Sequence, residues 1–276
     1  MSEPSSSSSA KQFVTSTYDE TGSVVTITLK KEPVNSMSLN LWKQLHEAVA
    51  AANASPKVRA ILFQSGLTKN VFTAGLELKE LYPPTTTQER HADFWQTLTK
   101  TLAMVYGSPK ATIALINGAC PAGGCGLSLC CDLRIITEDG SMGLNEVQIG
   151  LLVPEYWAKL MVKVIGNRNA ERVLTPGLMC KVPELKALGM IDQVVPKRED
   201  LLPAAMKELQ KNFLKLPPTG FRQQKEFFRQ EFAKEWADNA KREGDVVWAC
   251  INEKQTMKIL GMVMQKLSGG KPVAKL

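Results

Sequence analysis

The fold is decided by Ala111-Thr-Ile-Ala-Leu-Ile-Asn117 and the stretch that continues it, Asn117-Gly-Ala-Cys-Pro-Ala-Gly-Gly-Cys-Gly-Leu-Ser-Leu-Cys-Cys-Asp132. Ala111 to Cys131 is 21 residues without a charge, long enough to span a bilayer. Yet Asn117, Gly118, Pro121, Gly123, Gly124 and Gly126 crowd its middle, and no simple spanning helix collects such residues. A buried strand, a tight turn and a helix of small residues explain it better. The stretch therefore predicts a strand-turn-helix unit and no membrane span.

The same alternation recurs on either side. In Val24–Leu29, Val25, Ile27 and Leu29 alternate with Thr26 and Thr28, as in a half-buried strand. In Leu39–Asn53, Leu39, Trp42, Leu45 and Val49 fall at helical spacing behind Ser38, a candidate N-cap. Val58–Gln64, Ala111–Asn117 and Asp132–Ile136 are short and apolar, as in sheets covered on both faces. Beyond Asp200 strand signals cease. Leu201–Leu216, Thr219–Arg242 and Val246–Leu267 read as helices, with Pro217-Pro218 as a break. The expected organisation is an α/β core over residues 13–200 and a helical region over 201–267. Tails over residues 1–12 and 268–276 flank them; the first is Ser-rich and expected to be disordered.

Composition narrows the function classes. The formal charge of +7 is uneven: residues 1–150 hold 12 Lys+Arg against 13 Asp+Glu, and residues 151–276 hold 22 against 14. In Lys207–Glu243 nine bases alternate with six acids, which suits a solvated helical face rather than a nucleic-acid stripe. A polyphosphate ligand is compatible with this charge but not required by it. The six cysteines (Cys120, Cys125, Cys130, Cys131, Cys180, Cys250) lack metal-knuckle spacing and include no Cys-x-x-Cys. They read as buried free thiols, with no metal site.

The chemistry gathers around Glu146, the only acid between Asp139 and Glu155, in the apolar run Met142-Gly-Leu-Asn-Glu-Val-Gln-Ile-Gly-Leu-Leu152. Burial there would raise its pKa, fitting it to take and return a proton near neutrality. Two glycine turns precede it, Phe72-Thr-Ala-Gly-Leu76 and Pro121-Ala-Gly-Gly-Cys-Gly126. Each follows a strand-like segment and leads into a helix-like one, where the first backbone N–H groups have no internal partner. Glycine lets a substrate approach the main chain closely. Two such turns could hold one oxygen between two donors; read singly, each is only a tight turn.

Three motifs in order, Phe72-Thr-Ala-Gly-Leu-Glu-Leu78, Asn117 to Asp132, and Gly143-Leu-Asn-Glu-Val-Gln-Ile-Gly150, resemble the crotonase (enoyl-CoA hydratase/isomerase) family. Glu32-Pro-Val-Asn-Ser-Met37 is similar to that family's early substrate loop. The resemblance runs from about Phe13 to Val195. It implies a spiral of ββα units with a C-terminal helical trimerisation region, hence trimers or hexamers. It also implies a fatty enoyl-CoA substrate, with no cofactor beyond the substrate's own coenzyme A.

Within the family the pattern is most similar to the Δ3,Δ2-enoyl-CoA isomerases of β-oxidation. The implied roles are Glu146 as catalytic acid/base and the N–H groups of Leu76 and Gly123 as an oxyanion hole. Substrate contacts would come from Met37, Ala74, Gly75, Leu76, Glu77, Leu78, Gly123 and Trp157, with Tyr156 beside it. Family hydratases use a second glutamate where this chain has Gly126. A dienoyl-CoA isomerase would need another acid, for which Glu77 and Glu80 are the nearby candidates. A hydratase, a dienoyl-CoA isomerase and an RNA-binding member of the fold are the alternatives. Asp132 is expected to fix a loop, and Glu155 departs from the small or apolar residue expected there. The ending Ala274-Lys275-Leu276 is similar to the Ser-Lys-Leu peroxisomal address, so an import receptor and a peroxisome-type organelle are expected. The mitochondrial matrix is the alternative, although the start lacks an Arg-rich presequence.

Overall fold

The computed structural model describes residues 11–269. A six-stranded sheet begins with β1 (Val14–Tyr18) antiparallel to β2 (Val24–Leu29). It continues in parallel through β3 (Ala60–Ser65), β4 (Ala111–Ile116), β6 (Leu133–Thr137) and β9 (Gln193–Val195). A smaller sheet joins β5 (Ala119–Pro121) and β7 (Ser141–Gly143) in parallel and β8 (Cys180–Lys181) antiparallel to β7. The pleat sends successive residues to opposite faces. Val25, Ile27, Leu29, Ile61, Phe63, Ala114 and Ile116 therefore join one core, while Val24, Leu62, Ile113 and Leu115 join another. Both faces are apolar, so both must be covered, as in parallel sheets generally.

The larger core takes α1 (Leu39–Ala54), α2 (Gln88–Tyr106), α3 (Gly123–Cys130), α4 (Glu155–Ile165), α5 (Asn167–Leu174) and α6 (Val182–Ala187). The other face is covered by α7 (Leu201–Asn212), through Leu201, Ala205 and Leu209. A largely parallel sheet with helices on both faces, followed by a helical tail, agrees with the α/β core and helical region expected from the sequence. The uncharged stretch from Ala111 resolves into β4, β5 and α3. No helix among the described residues is long and apolar enough to cross a membrane.

The helical tail departs from expectation in one respect. Three helices cover it after α7: α8 (Pro218–Asp238), α9 (Ala240–Ile251) and α10 (Lys254–Leu267). The chain breaks at Asn239 and Asn252, not between Arg242 and Val246. Each asparagine Nδ2 donates to the carbonyl four residues back, Glu235 O at 2.9 Å and Trp248 O at 2.7 Å. Such local bonds compete with helix continuation. Lys11 also departs from the expected tail, because its carbonyl accepts from Gln44 Nε2. The rest of the Ser-rich start and the terminal tripeptide lie outside the described residues.

Charge, not only apolar area, docks α8. Lys225 Nζ lies 2.7 Å from Asp132 Oδ2 and donates to Lys110 O, while Arg229 Nη2 reaches Asp132 Oδ1 at 3.0 Å. Asp132 also accepts from Thr112 N at 2.8 Å. It fixes a loop, as read from the sequence. Asp132→Ala leaves two partly or fully buried cations uncompensated and is expected to lower stability by about 3–5 kcal/mol. Urea unfolding at pH 7 measures this through the shift in midpoint.

Candidate active site

Short pairings bring three remote segments together. Met37 bridges Leu76 in parallel, Val71 bridges Ala119, and β5 pairs with β7 so that Pro121 lies opposite Gly143. Asn35 stands behind them, fully buried. Its Nδ2 donates to Leu29 O, Ser65 Oγ and Phe72 O at 2.9–3.1 Å. Its carbonyl accepts from Thr73 Oγ1, which in turn accepts from Gly75 N. The early loop is thereby tied to the strand ends and to the first glycine turn.

The two turns pack directly on each other. A Cβ at Gly123 would lie 2.6 Å from Leu76 Cδ2, and one at Gly124 would lie 2.0 Å from Thr73 Cγ2. A side chain at either position would have to displace the Leu76 or Thr73 side chain. Ala122, just before α3, has φ 49° and ψ −120°, a region that costs a non-glycine residue about 1–3 kcal/mol. It is held there by its own N–H, which donates to Gly143 O at 2.8 Å. Among the described residues, neither Leu76 N–H nor Gly123 N–H has a hydrogen-bond partner. Gly123 opens α3, so its amide is also among the helix's orphan donors.

Glu146 begins a single 3₁₀ turn, Glu146–Ile149, three residues after β7. Gly150 closes the turn in the left-handed region, at φ 77°, and its carbonyl accepts from Thr256 Oγ1 of α10 at 3.1 Å. The Glu146 side chain opens on a cavity of about 190 Å³. Ala74, Leu76, Pro121 and Ala122 line it from the two turns, and Asn145 also lines it. Apolar side chains, Trp95 and Val247 among them, make most of the remainder. Glu146 is 6% exposed, and neither carboxylate oxygen has a hydrogen-bond partner among the described residues. Burial pushes its pKa from 4.5 up to about 7. Its own backbone N–H opposes this slightly without meeting hydrogen-bond geometry. A buried acid poised near neutrality, in a cavity lined by the two glycine turns, is suited to moving a proton next to a polarised carbonyl.

Residues 19–268 match the enoyl-CoA hydratase/isomerase family. The chain belongs to this family of enzymes. Mouse mitochondrial enoyl-CoA delta isomerase 1 is 30% identical over 250 residues, covering 88% of this chain and 83% of the relative. The crystal structure of human mitochondrial delta3-delta2-enoyl-CoA isomerase superposes with a TM-score of 0.87 at 28% identity, covering 95% of this chain and all of that one. An enoyl-CoA hydratase from Bacillus halodurans shares the fold, with a TM-score of 0.83 at 22% identity over 91% of this chain.

Set against the family motifs, the expected residues divide. Ala74, Leu76 and Leu78 line the cavity, Gly75 forms the turn at φ 87°, and Gly123 stands against Leu76. Met37 is fully buried behind the turns, with its sulfur 3.4 Å from where a Gly123 Cβ would lie. Glu77 instead pairs with Lys31 at 2.8 Å and accepts from Ser36 Oγ. Trp157 corrects the sequence reading: it is fully buried and sits 3.5 Å from the Cβ direction of Gly126, stacked behind Trp95. Tyr156 likewise packs in the core, against Phe232 and Trp236. Glu155 opens α4 on the surface and pairs with Lys159 and Arg242, both at 2.7 Å. That pairing explains the departure noted in the sequence.

Trp95, Leu81, Val247 and Cys250 belong to the cavity wall but were not legible, since nothing in their helical spacing distinguishes wall from core. Five of the cysteines are buried free thiols, and Cys250 is partly buried. Among the described residues no cluster of three or more His, Cys, Asp or Glu is placed to hold a metal.

The raised pKa carries a stability cost with a definite sign. The folded chain holds the Glu146 proton more tightly than the unfolded chain, so stability falls as pH rises through about 7. Glu146→Gln is therefore expected to gain about 1–3 kcal/mol at pH 8. The gain should fade at pH 5, where the native side chain is already protonated. Thermal melts at the two pH values measure it.

Proposed function

We propose that this enzyme is a Δ3,Δ2-enoyl-CoA isomerase, converting 3-cis- or 3-trans-enoyl-CoA to 2-trans-enoyl-CoA during oxidation of unsaturated fatty acids. The observation that carries this reading is a solitary acid. Glu146 is the only charged residue on the cavity wall among the described residues. Ionised Glu146 takes a proton from C2, and the electron pair of that C–H bond spreads over the thioester and the C3–C4 double bond as a dienolate. The Leu76 and Gly123 N–H groups hold the thioester oxygen, each lowering the barrier by roughly 2.7–4 kcal/mol. The same carboxylic acid then returns the proton at C4, leaving the double bond between C2 and C3. The reading needs no cofactor beyond the substrate's coenzyme A.

Hydration would ask for a second acid at the position of Gly126, and the indole of Trp157 occupies the space beside it. A dienoyl-CoA isomerase would call on Glu77 or Glu80. Glu77 is engaged by Lys31, and Glu80 is fully buried in a two-pronged contact with Arg90 while accepting from Leu39 N. The basic tail is interleaved with acids along its helices, as in Lys234–Asp238 and Lys241–Asp245. That favours a solvated face over a nucleic-acid surface. Trimeric or hexameric assembly is part of the proposal by family resemblance. The mouse relative's designation as mitochondrial favours the mitochondrial alternative over the peroxisome-type organelle expected from Ala274-Lys275-Leu276.

Glu146→Gln keeps the side chain's shape but cannot accept the proton. It is expected to cut turnover of 3-enoyl-CoA by on the order of 10²–10⁴-fold while acyl-CoA still binds; retention of most activity would refute the assignment. In the wild type kcat/KM should climb about tenfold per pH unit below pH 7 and level off above it, because only the ionised form is the base. A fall in the conjugated-thioester absorbance of added 2-enoyl-CoA would instead indicate hydration.

A further inference from the structure

One side chain of the cavity wall is fixed from several sides. Trp95 of α2 lines it yet is only 2% exposed. Its indole stacks on Trp157 at a centroid distance of 6.4 Å and an interplanar angle of 17°. Its Nε1 donates to Glu243 Oε2 of α9 at 3.3 Å. A Cβ at Gly244, the next residue, would lie 3.1–3.3 Å from the Trp95 side chain. Glycine at 244 thus lets α9 press against the indole.

Glu243 is itself an unexpected residue. It is 4% exposed and forms no ion pair among the described residues. Its carboxylate accepts from Trp95 Nε1, from Thr99 Oγ1 at 3.1 Å and from Tyr156 N at 3.1 Å. Those donors come from α2 and from the first turn of α4, directly after the cavity residue Pro154. A buried acid satisfied only by neutral donors is costly to keep. Here it ties together α2, α4 and α9, next to the cavity-lining residues Trp95, Pro154 and Val247.

Resting on the isomerase reading, we infer that Trp95, held in place by Glu243, is the stop that limits acyl length and selects short- to medium-chain enoyl-CoA. The volume agrees: about 190 Å³ lies below the roughly 300–1,000 Å³ of pockets that enclose drug-sized ligands. Leu78, Leu81, Leu151 and Val247 line the same cavity as the indole and give an apolar wall suited to an alkyl chain. Glu243 is a positioning residue in this scheme, since it reaches the acyl chain only through Trp95.

The test uses saturated acyl-CoAs of increasing length, which bind without reacting, titrated by calorimetry into wild type, Trp95→Ala, Trp95→Leu and Glu243→Ala. In the wild type each added methylene should tighten binding about fourfold, the equivalent of about 0.8 kcal/mol, until a plateau is reached at medium length. Trp95→Ala should move the plateau to longer chains by two or more carbons, with Trp95→Leu, the variant less disruptive to packing, moving it in the same direction. Glu243→Ala should also move or blur the plateau, which a role confined to overall stability would not do. An unmoved plateau in both Trp95 variants overturns the stop while leaving the isomerase reading intact. No binding by the wild type at any length overturns both.

Discussion

Burying one carboxylate without a hydrogen-bond partner is the constraint around which this molecule is arranged. Glu146 is withdrawn from solvent and gains neither a cation nor a hydrogen-bond donor among the described residues in exchange. In an ordinary core such a residue would be a defect. In the proposed reaction that penalty becomes useful, because the same desolvation brings the pKa to about 7, the range where a proton can be taken and given back. Much of the surrounding structure keeps that state in place. The 3₁₀ turn presents the side chain, Gly150 ends the turn, and Thr256 anchors Gly150 from the far end of the chain.

A second constraint is the close approach of the two turns. Gly123 and Gly124 lack the side chains that would collide with Leu76 and Thr73. Ala122 accepts a strained backbone so that the helix behind it starts where the first turn ends. The residues between strand and helix are therefore set by contact with each other rather than by local preference. The C-terminal helices complete the site within the same chain: α9 contributes Val247 and Cys250 to the cavity and α10 contributes the Thr256 anchor.

Much of this was legible in the sequence for identifiable reasons. Strand periodicity survives in Val24–Leu29 because one face of that strand carries threonines. The uncharged stretch from Ala111 could be divided because glycine and proline punctuate it. Glu146 was legible because an isolated acid in an apolar run has few structural uses, and Asp132 because it closes a strand-turn-helix unit. The back wall was not legible. Trp95 and Glu243 are 148 residues apart, and each sits at ordinary helical spacing, so only the packing of α2 against α9 gives them a shared purpose. Trp157 misled for the complementary reason: proximity to Glu146 in sequence suggested the cavity, but helical phase turned the indole into the core. The helix breaks at Asn239 and Asn252 depend on side-chain bonds to the preceding turn, which apolar periodicity does not register.

The most direct test of a single carboxylate carrying the proton is isotopic. A 3-enoyl-CoA bearing deuterium at both C2 positions would be converted in ordinary water, quenched within the first turnovers and examined by mass spectrometry and NMR. If Glu146 removes a deuteron and returns it before exchange with solvent, part of the product will carry deuterium at C4. Complete washout at C4 from the first turnover, with only solvent hydrogen delivered there, would contradict the single shuttle and require a separate acid.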